Sequence, residues 1–212
     1  MLDPASDCTI TFSFQLRGLG LASFEVSIAL ASIIYGFGFA RLLHGVGYIF
    51  SKDKVFLTLK TLWLYFFLQG ITHFWGLTHN SELKNYNFNL FFLDALKSSL
   101  FYFVCDKICP ATAEKIDSWE EYFIKERSKI WLGQILLACN MLIAILLGLN
   151  FVLTEGFYEV FFVGILPWTA LSCLGYFSKN LKINFYAALL NFFHILFFVL
   201  ATSQQETAGF LN

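Results

Sequence analysis

Six stretches of the sequence are each long enough and apolar enough to cross a lipid bilayer, and they constrain the fold more than any other feature. A bilayer core requires about 20 apolar residues per helix, and 58% of the 212 residues are hydrophobic, including 27 Phe. We therefore predict an all-α fold, a polytopic bundle of about six transmembrane helices surrounded by lipid. The predicted spans cover residues 22–48, 55–78, 87–108, 130–153, 157–177 and 182–203.

The spans leave room for one membrane domain over residues 22–203, between an N-terminal segment (1–21) and a short C-terminal tail (204–212). Residues 9–16 alternate polar and apolar side chains, which favours an extended, strand-like N-terminal segment. A leader that lies at the membrane interface is the alternative. A net charge of −1 predicts no nucleic-acid partner. The five scattered cysteines do not indicate a disulfide framework.

The basic residues predict the orientation of the bundle in the membrane. Eleven of the fourteen Lys and Arg residues fall on one side of the six predicted spans: Arg41, Lys52, Lys54, Lys60, Lys107, Lys115, Lys125, Arg127, Lys129, Lys179 and Lys182. Short loops rich in Lys and Arg stay in the cytoplasm. The three basic loops are therefore predicted to be cytoplasmic, and both termini are predicted to lie outside.

The longest polar stretch, residues 110–129, lies between helices three and four. Pro110 ends helix three, and Ser118 and Glu121 have the spacing of a helix-capping box. Aromatic and apolar residues then recur at helical intervals at Trp119, Tyr122, Phe123 and Ile130. We predict a short amphipathic interfacial helix here that runs into helix four. It would anchor the chain at the membrane surface, and a docking surface for a cytosolic partner is the alternative.

Helix one carries small residues at a spacing that permits close helix packing. Ser32, Gly36 and Ala40 are four residues apart, which places them on one face. Such a face serves packing within the chain, a homo-oligomer or a partner membrane subunit equally well. Glu25 lies on the same side, near the predicted outer end.

Polar residues follow one face of helices two, three and six, which predicts a shared polar interior. The stripes contain Thr61, Tyr65, Gln69 and His73 in helix two, Asp94, Lys97, Ser98 and Tyr102 in helix three, and Asn184, Asn191 and His194 in helix six. An ionisable residue at a helix centre costs roughly 2.5–3.5 kcal/mol, so such residues are candidates for function. A structural alternative is that they satisfy one another, since Asp94 and Lys97 have the i, i+3 spacing of an ion pair on one helix.

These stripes predict transport or conduction of a small ion, with protons as one candidate. Asp94 is the principal ion-binding group of this hypothesis, His73 its partner, and Lys97 adjusts the local charge. Further residues line the route (Tyr65, Gln69, Asn191, His194) or form an outer vestibule (Glu25, Glu159).

Two other classes of function remain open. The main alternative is a non-transporting accessory, sensor or assembly subunit that binds partners through helix one and residues 110–129. An intramembrane enzyme is disfavoured because no nucleophile and base are paired. No cofactor and no metal are predicted, since the histidines lie at different depths for a haem and no metal-ligand spacing is present.

Three short patterns resemble sequences found in a family of bacterial membrane proteins. They are the glycine-rich residues 36–45, the aromatic residues 73–75 and the charged residues 122–127. The resemblance is to uncharacterised bacterial multi-spanning inner-membrane proteins, and it implies a bacterial inner-membrane location without indicating an activity.

Overall fold

The computed structural model describes residues 4–51, 57–79, 88–148 and 160–209, and within these ranges the chain is helical with no strand. The long helices are α1 (Pro4–Ser51), α2 (Leu57–His79), α3 (Phe88–Ile108), α4 (Trp119–Gly148), α5 (Leu166–Phe177) and α6 (Leu181–Gly209). A 3₁₀ turn (Ala113–Lys115) precedes α4, and a π-helical segment (Val160–Ile165) leads into α5. The all-α class predicted from the sequence is confirmed.

Four helical segments are long enough and apolar enough to cross a membrane, which makes the chain an integral membrane protein. They are Glu25–Phe50, Phe88–Ile108, Trp119–Leu147 and Leu181–Leu200, and they match predicted spans one, three, four and six. Helix α2 has 23 residues, which is sufficient length, but its Thr, Gln and His residues make it less apolar. Phe161–Phe177 is apolar but shorter.

The prediction of an extended segment over residues 9–16 is wrong, because α1 is helical from Pro4 onward. Extending an existing helix adds one hydrogen bond per residue without a new nucleation cost, and this outweighs an eight-residue alternation of polar and apolar side chains. At the other end of the chain, α6 continues to Gly209, beyond the predicted boundary at residue 203.

The interfacial helix predicted between helices three and four is not a separate element in the described residues. Residues from Trp119 onward are the first turns of α4. The Ser118 hydroxyl accepts the backbone N–H of Glu121 at 3.3 Å, as expected for a helix cap. Trp119 and Phe123 are buried in the core. The apolar face of this segment is therefore covered by the bundle rather than by the membrane surface.

The helices form a closed ring in the order α1, α3, α4, α5, α6, α2. Helix α3 packs mainly against α1 and α4, and α2 packs mainly against α6, with a smaller contact to α3. The short loop between α2 and α3 suggested that they are close neighbours, and they do touch. The larger contact of α3 is with α1, where a side chain at Gly45 would overlap the Cys109 thiol. A glycine lets the two backbones approach.

Within the chain, helix α1 packs through a different face from the one that carries Gly36 and Ala40. Its buried face has the spacing of a heptad and consists of Ala31, Tyr35, Gly38, Leu42, Gly45 and Ile49. Ser32 is half-buried, whereas Gly36 and Ala40 are exposed, and a Cβ atom at Gly36 would have nothing within 4 Å. Of the uses left open for Ser32, Gly36 and Ala40, packing within the chain is not the one seen in the described residues. Both faces of α1 carry small residues. The face that also carries the large side chains of Tyr35, Leu42 and Ile49 is the one that packs inside the bundle.

Several ends of helices are joined by polar contacts at the end of the bundle that carries the basic residues. The Arg127 guanidinium donates to the backbone carbonyls of Gly175, at 3.0 Å, and of Tyr176 and Ser178. The hydroxyl of Tyr122 donates to the carbonyl of Lys107 at 2.9 Å. These contacts hold the start of α4 against the ends of α3 and α5.

Candidate functional site

The polar stripe of α2 faces the interior of the bundle. Tyr65, Gln69 and His73 are at most 8% exposed. Gln134 of α4 connects this stripe to α5: its side-chain carbonyl accepts the Tyr65 hydroxyl at 3.1 Å and the Trp168 indole N–H at 2.7 Å. Its amide donates to Gln69 at 3.2 Å. The polar groups of this hydrogen-bonded cluster satisfy one another, as burial requires.

A cavity of about 70 Å³ lies next to this cluster. It is lined by Tyr65, Gln69, Thr72, His73, Met141, Gly164, Ile165, Trp168, His194, Ile195 and Phe198. These residues come from α2, α4, α6, and α5 with its π-helical lead, and none comes from α3. The space is large enough to hold bound water.

Two imidazoles share this cavity. His73 is buried, its ring centroid lies 6.1 Å from that of Trp168, and its Nδ1 atom has no hydrogen-bond partner among the described residues. His194 is half-buried, and its Nε2 lies 2.7 Å from the carbonyl oxygen of Val163. Pro167 lacks the N–H that would bond this carbonyl in a regular α-helix, so the proline leaves an acceptor for His194.

Asn191 lies one helical turn before His194 and Ile195 on α6. It is fully buried, and neither polar atom of its amide has a partner in the described part of the chain. A buried polar group left unsatisfied costs about 1–3 kcal/mol. Bound water or a bound solute is the usual explanation for such a group.

Asp94 and Lys97 are not among the residues that line the cavity. Their side chains are 9% and 13% exposed and form an ion pair at 3.2 Å on α3, which is the structural alternative considered from their spacing. Of the side chains expected to act together, His73 and His194 line the cavity, whereas Asp94 and Lys97 do not.

The outer vestibule of Glu25 and Glu159 stays a prediction. Glu25 is exposed on α1, on the same side as Gly36. Glu159 lies outside the described residues.

Sequence reasoning missed Gln134, Met141 and Trp168, which complete the site from α4 and α5. The spacing of polar residues in the sequence could have indicated the inward face of α4. Arg127, Trp131 and Gln134 recur at intervals of four and three residues, which places them on one face of a helix. The indole N–H of Trp131 donates to the buried Asn184 of α6 at 2.7 Å, so the stripe of α4 also faces inward.

The fold and the site define an integral membrane protein with a small, partly polar cavity between its helices. No group of three His, Cys, Asp or Glu side chains able to hold a metal ion occurs among the described residues. Comparison with protein-family models, with curated proteins and with solved structures gives no match. Function is therefore inferred from the geometry.

Proposed function

We propose that the protein is a six-span carrier or channel for a small cation, with protons as the first candidate, and that its pathway includes the cavity between α2, α4, α5 and α6. One observation carries this proposal: His73 and His194 line the same cavity, which continues the buried polar stripe of α2. An imidazole can accept and donate a proton through its two ring nitrogens, and ionisable groups within membrane spans commonly mark ion or proton routes.

The packing of α2 supports its assignment as a span. Its polar residues face the interior, whereas Leu64, Ile71 and Trp75 are exposed. Apolar and aromatic side chains suit a lipid-facing surface, so the outer face of α2 is compatible with contact to lipid. We assign α5 with its π-helical lead as the remaining span, because Phe161–Phe177 is apolar.

We place the protein in a bacterial inner membrane, with the basic end of the bundle in the cytoplasm and both termini outside. In this orientation the hydrogen-bonded cluster around Gln134 lies between the cavity and the cytoplasm. Passage of an ion then requires the contacts of Gln134 with Tyr65 and Trp168 to open.

The test is proton and monovalent-cation flux into liposomes that contain the purified protein. His73→Gln is expected to abolish most of the flux, because an amide cannot carry a proton near neutral pH. His44→Gln is the matched control, since His44 is an exposed histidine of α1 outside the cavity lining. Equal flux in wild type and His73→Gln would refute the proposed pathway.

Asp94→Asn separates this pathway from one centred on α3. Asp94 pairs with Lys97 outside the cavity, so we expect the variant to keep its flux and lose stability. Breaking a buried pair costs roughly 3–5 kcal/mol. Replacing both partners, Asp94→Asn with Lys97→Met, is expected to restore part of the stability. Loss of flux in a stable Asp94→Asn protein would show that Asp94 is part of the ion pathway.

A non-transporting subunit is the second candidate function. The exposed face of α1 that contains Gly36 and Ala40 favours it, because such a face admits a neighbouring helix in lipid. This alternative predicts no flux in wild type and stable co-purification with a second membrane protein. Gly36→Leu is expected to disrupt that complex and leave the fold unchanged.

A further inference from the structure

The cavity gathers residue types that are scarce in this chain. The sequence contains four His and two Met, of which one is Met1. Two of the four histidines, His73 and His194, and the single internal methionine, Met141, line the same cavity. Methionine is often a filler of irregular gaps, and Met141 is half-buried at the edge of this cavity.

Both imidazoles offer a nitrogen lone pair. His73 is nine-tenths buried, and its Nδ1 has no hydrogen-bond partner in the described ranges. His194 Nε2 lies 2.7 Å from the Val163 carbonyl oxygen, which can only accept, so Nε2 donates in that contact and Nδ1 is the ring nitrogen left for a ligand. A hydrogen bond from one ring nitrogen to a backbone carbonyl is the usual way in which a metal-binding histidine is oriented.

The other lining residues limit the kind of ion. No Asp or Glu lines the cavity, so it lacks the anionic oxygen ligands that Ca²⁺ and Mg²⁺ require. A divalent ion would leave two positive charges uncompensated in a cavity without an anionic side chain. Thioether and imidazole ligands together suit a soft monovalent ion, of which Cu(I) is the main biological example.

We propose that His73, His194 and Met141 form a binding site for one Cu(I) ion. This inference rests on the proposed transport function and makes it more specific, because Cu(I) would be the cation that enters the cavity. Binding itself does not depend on transport and is measured separately.

The experiment is anaerobic titration of the purified, membrane-reconstituted protein with Cu(I), kept reduced by ascorbate and reported by competition with a bicinchoninate indicator. Thiols are Cu(I) ligands in general, and the chain has five cysteines, so variants are compared by difference. Met141→Leu conserves volume and removes the thioether, His73→Gln removes one imidazole, and His44→Gln is the control outside the cavity.

The proposal expects one equivalent of bound Cu(I) to be lost, or its affinity to fall at least about tenfold, in Met141→Leu and in His73→Gln but not in His44→Gln. X-ray absorption of the wild type is expected to show nitrogen and sulfur neighbours that diminish in Met141→Leu. Identical titrations for wild type and Met141→Leu, with the same thermal stability, would overturn the site. Proton flux with no difference in Cu(I) binding would overturn this inference and leave the proposed function standing.

Discussion

At the scale of single residues, the interior is shaped by pairs of a glycine and a large side chain. A side chain at Gly175 would overlap the indole of Trp131, and one at Gly70 would meet the rings of Phe101 and Phe39. Trp131 is fully buried and bonds to Asn184. In a membrane, close packing of this kind replaces much of the hydrophobic driving force that acts in water.

Substitution of two glycines tests this account. Gly175→Ala is expected to destabilise the protein by about 1–3 kcal/mol, because the added methyl group overpacks the contact with Trp131. Gly36→Ala is the matched control, since its site is open, and it is expected to stabilise α1 by about 0.5–1 kcal/mol. The measurement is the free energy of unfolding in mixed micelles. Equal effects of both variants would contradict the packing of Trp131 on Gly175.

The thiol of Cys109, just beyond the end of α3, provides a test by pH. Burial, with a further contribution from Asp106, raises the pKa of Cys109 from 9.0 to about 12. The neutral thiol is favoured in the folded state, so its contribution to stability is complete below pH 9 and is lost as the pH rises toward 12.

Cys109→Ala should remove this part of the pH dependence. We expect the stability of the wild type to fall more steeply above pH 9 than that of the variant. Thermal unfolding between pH 7 and 11 measures the difference. Parallel curves for the two proteins would show that the thiol is not protected by burial.

At the scale of elements, α5 depends on groups supplied by other helices. It has 12 residues, Pro167 stands in its first turn, and its last carbonyls accept the guanidinium of Arg127. The final carbonyls of a helix have no partner within it, and a cation there also interacts favourably with the helix dipole. One arginine of α4 therefore satisfies the end of a neighbouring helix.

Replacement of Arg127 tests this role. Arg127→Gln is expected to cost about 2 kcal/mol, because hydrogen bonds to a charged group contribute roughly 1.5–3 kcal/mol. Arg127→Lys should recover part of the loss, since an ammonium lacks the planar fork of donors. Lys125→Gln is the control, because Lys125 is exposed and its substitution should change stability by less than about 0.5 kcal/mol.

Hydrogen exchange of residues 175–178 locates the effect, and faster exchange is expected in Arg127→Gln. Unchanged exchange in that variant, with unchanged stability, would show that Arg127 does not stabilise the end of α5.

At the scale of the whole molecule, the ring of helices brings the basic residues to one end. Arg41 of α1 and Asp106 near the end of α3 form an ion pair there, with Nε and Oδ1 3.5 Å apart. Arg127 joins α4 to α5 at the same end. This arrangement agrees with an up-and-down bundle whose basic loops share one side of the membrane.

Cysteine labelling tests the orientation. In a variant without native cysteines, Lys115→Cys and Lys179→Cys are expected to react with an impermeant maleimide in inverted vesicles and not in intact cells. Both lysines are exposed. An epitope added after Asn212 should be accessible from outside. Labelling of either cysteine in intact cells would contradict the proposed orientation and favour the opposite one.

The candidate site could be predicted from the sequence only in part. The spacing of Tyr65, Gln69 and His73 indicated an inward polar face on α2, and His194 was expected on the route. Asp94 is buried on α3 beside Lys97 and is not among the residues that line the cavity. Periodicity describes one helix at a time and does not state which helices share a cavity.

The sequence by itself determined the class of the protein, because apolar length and helical periodicity are properties of a linear segment in a bilayer. It also determined which residues are candidates for an interior, since polar side chains in an apolar span avoid lipid. The tertiary structure alone decided the neighbours, because the fit of Trp131 to Gly175 and of α1 to α3 depends on side-chain volumes from distant parts of the chain. It therefore also decided that His73, Met141 and His194 meet in one cavity.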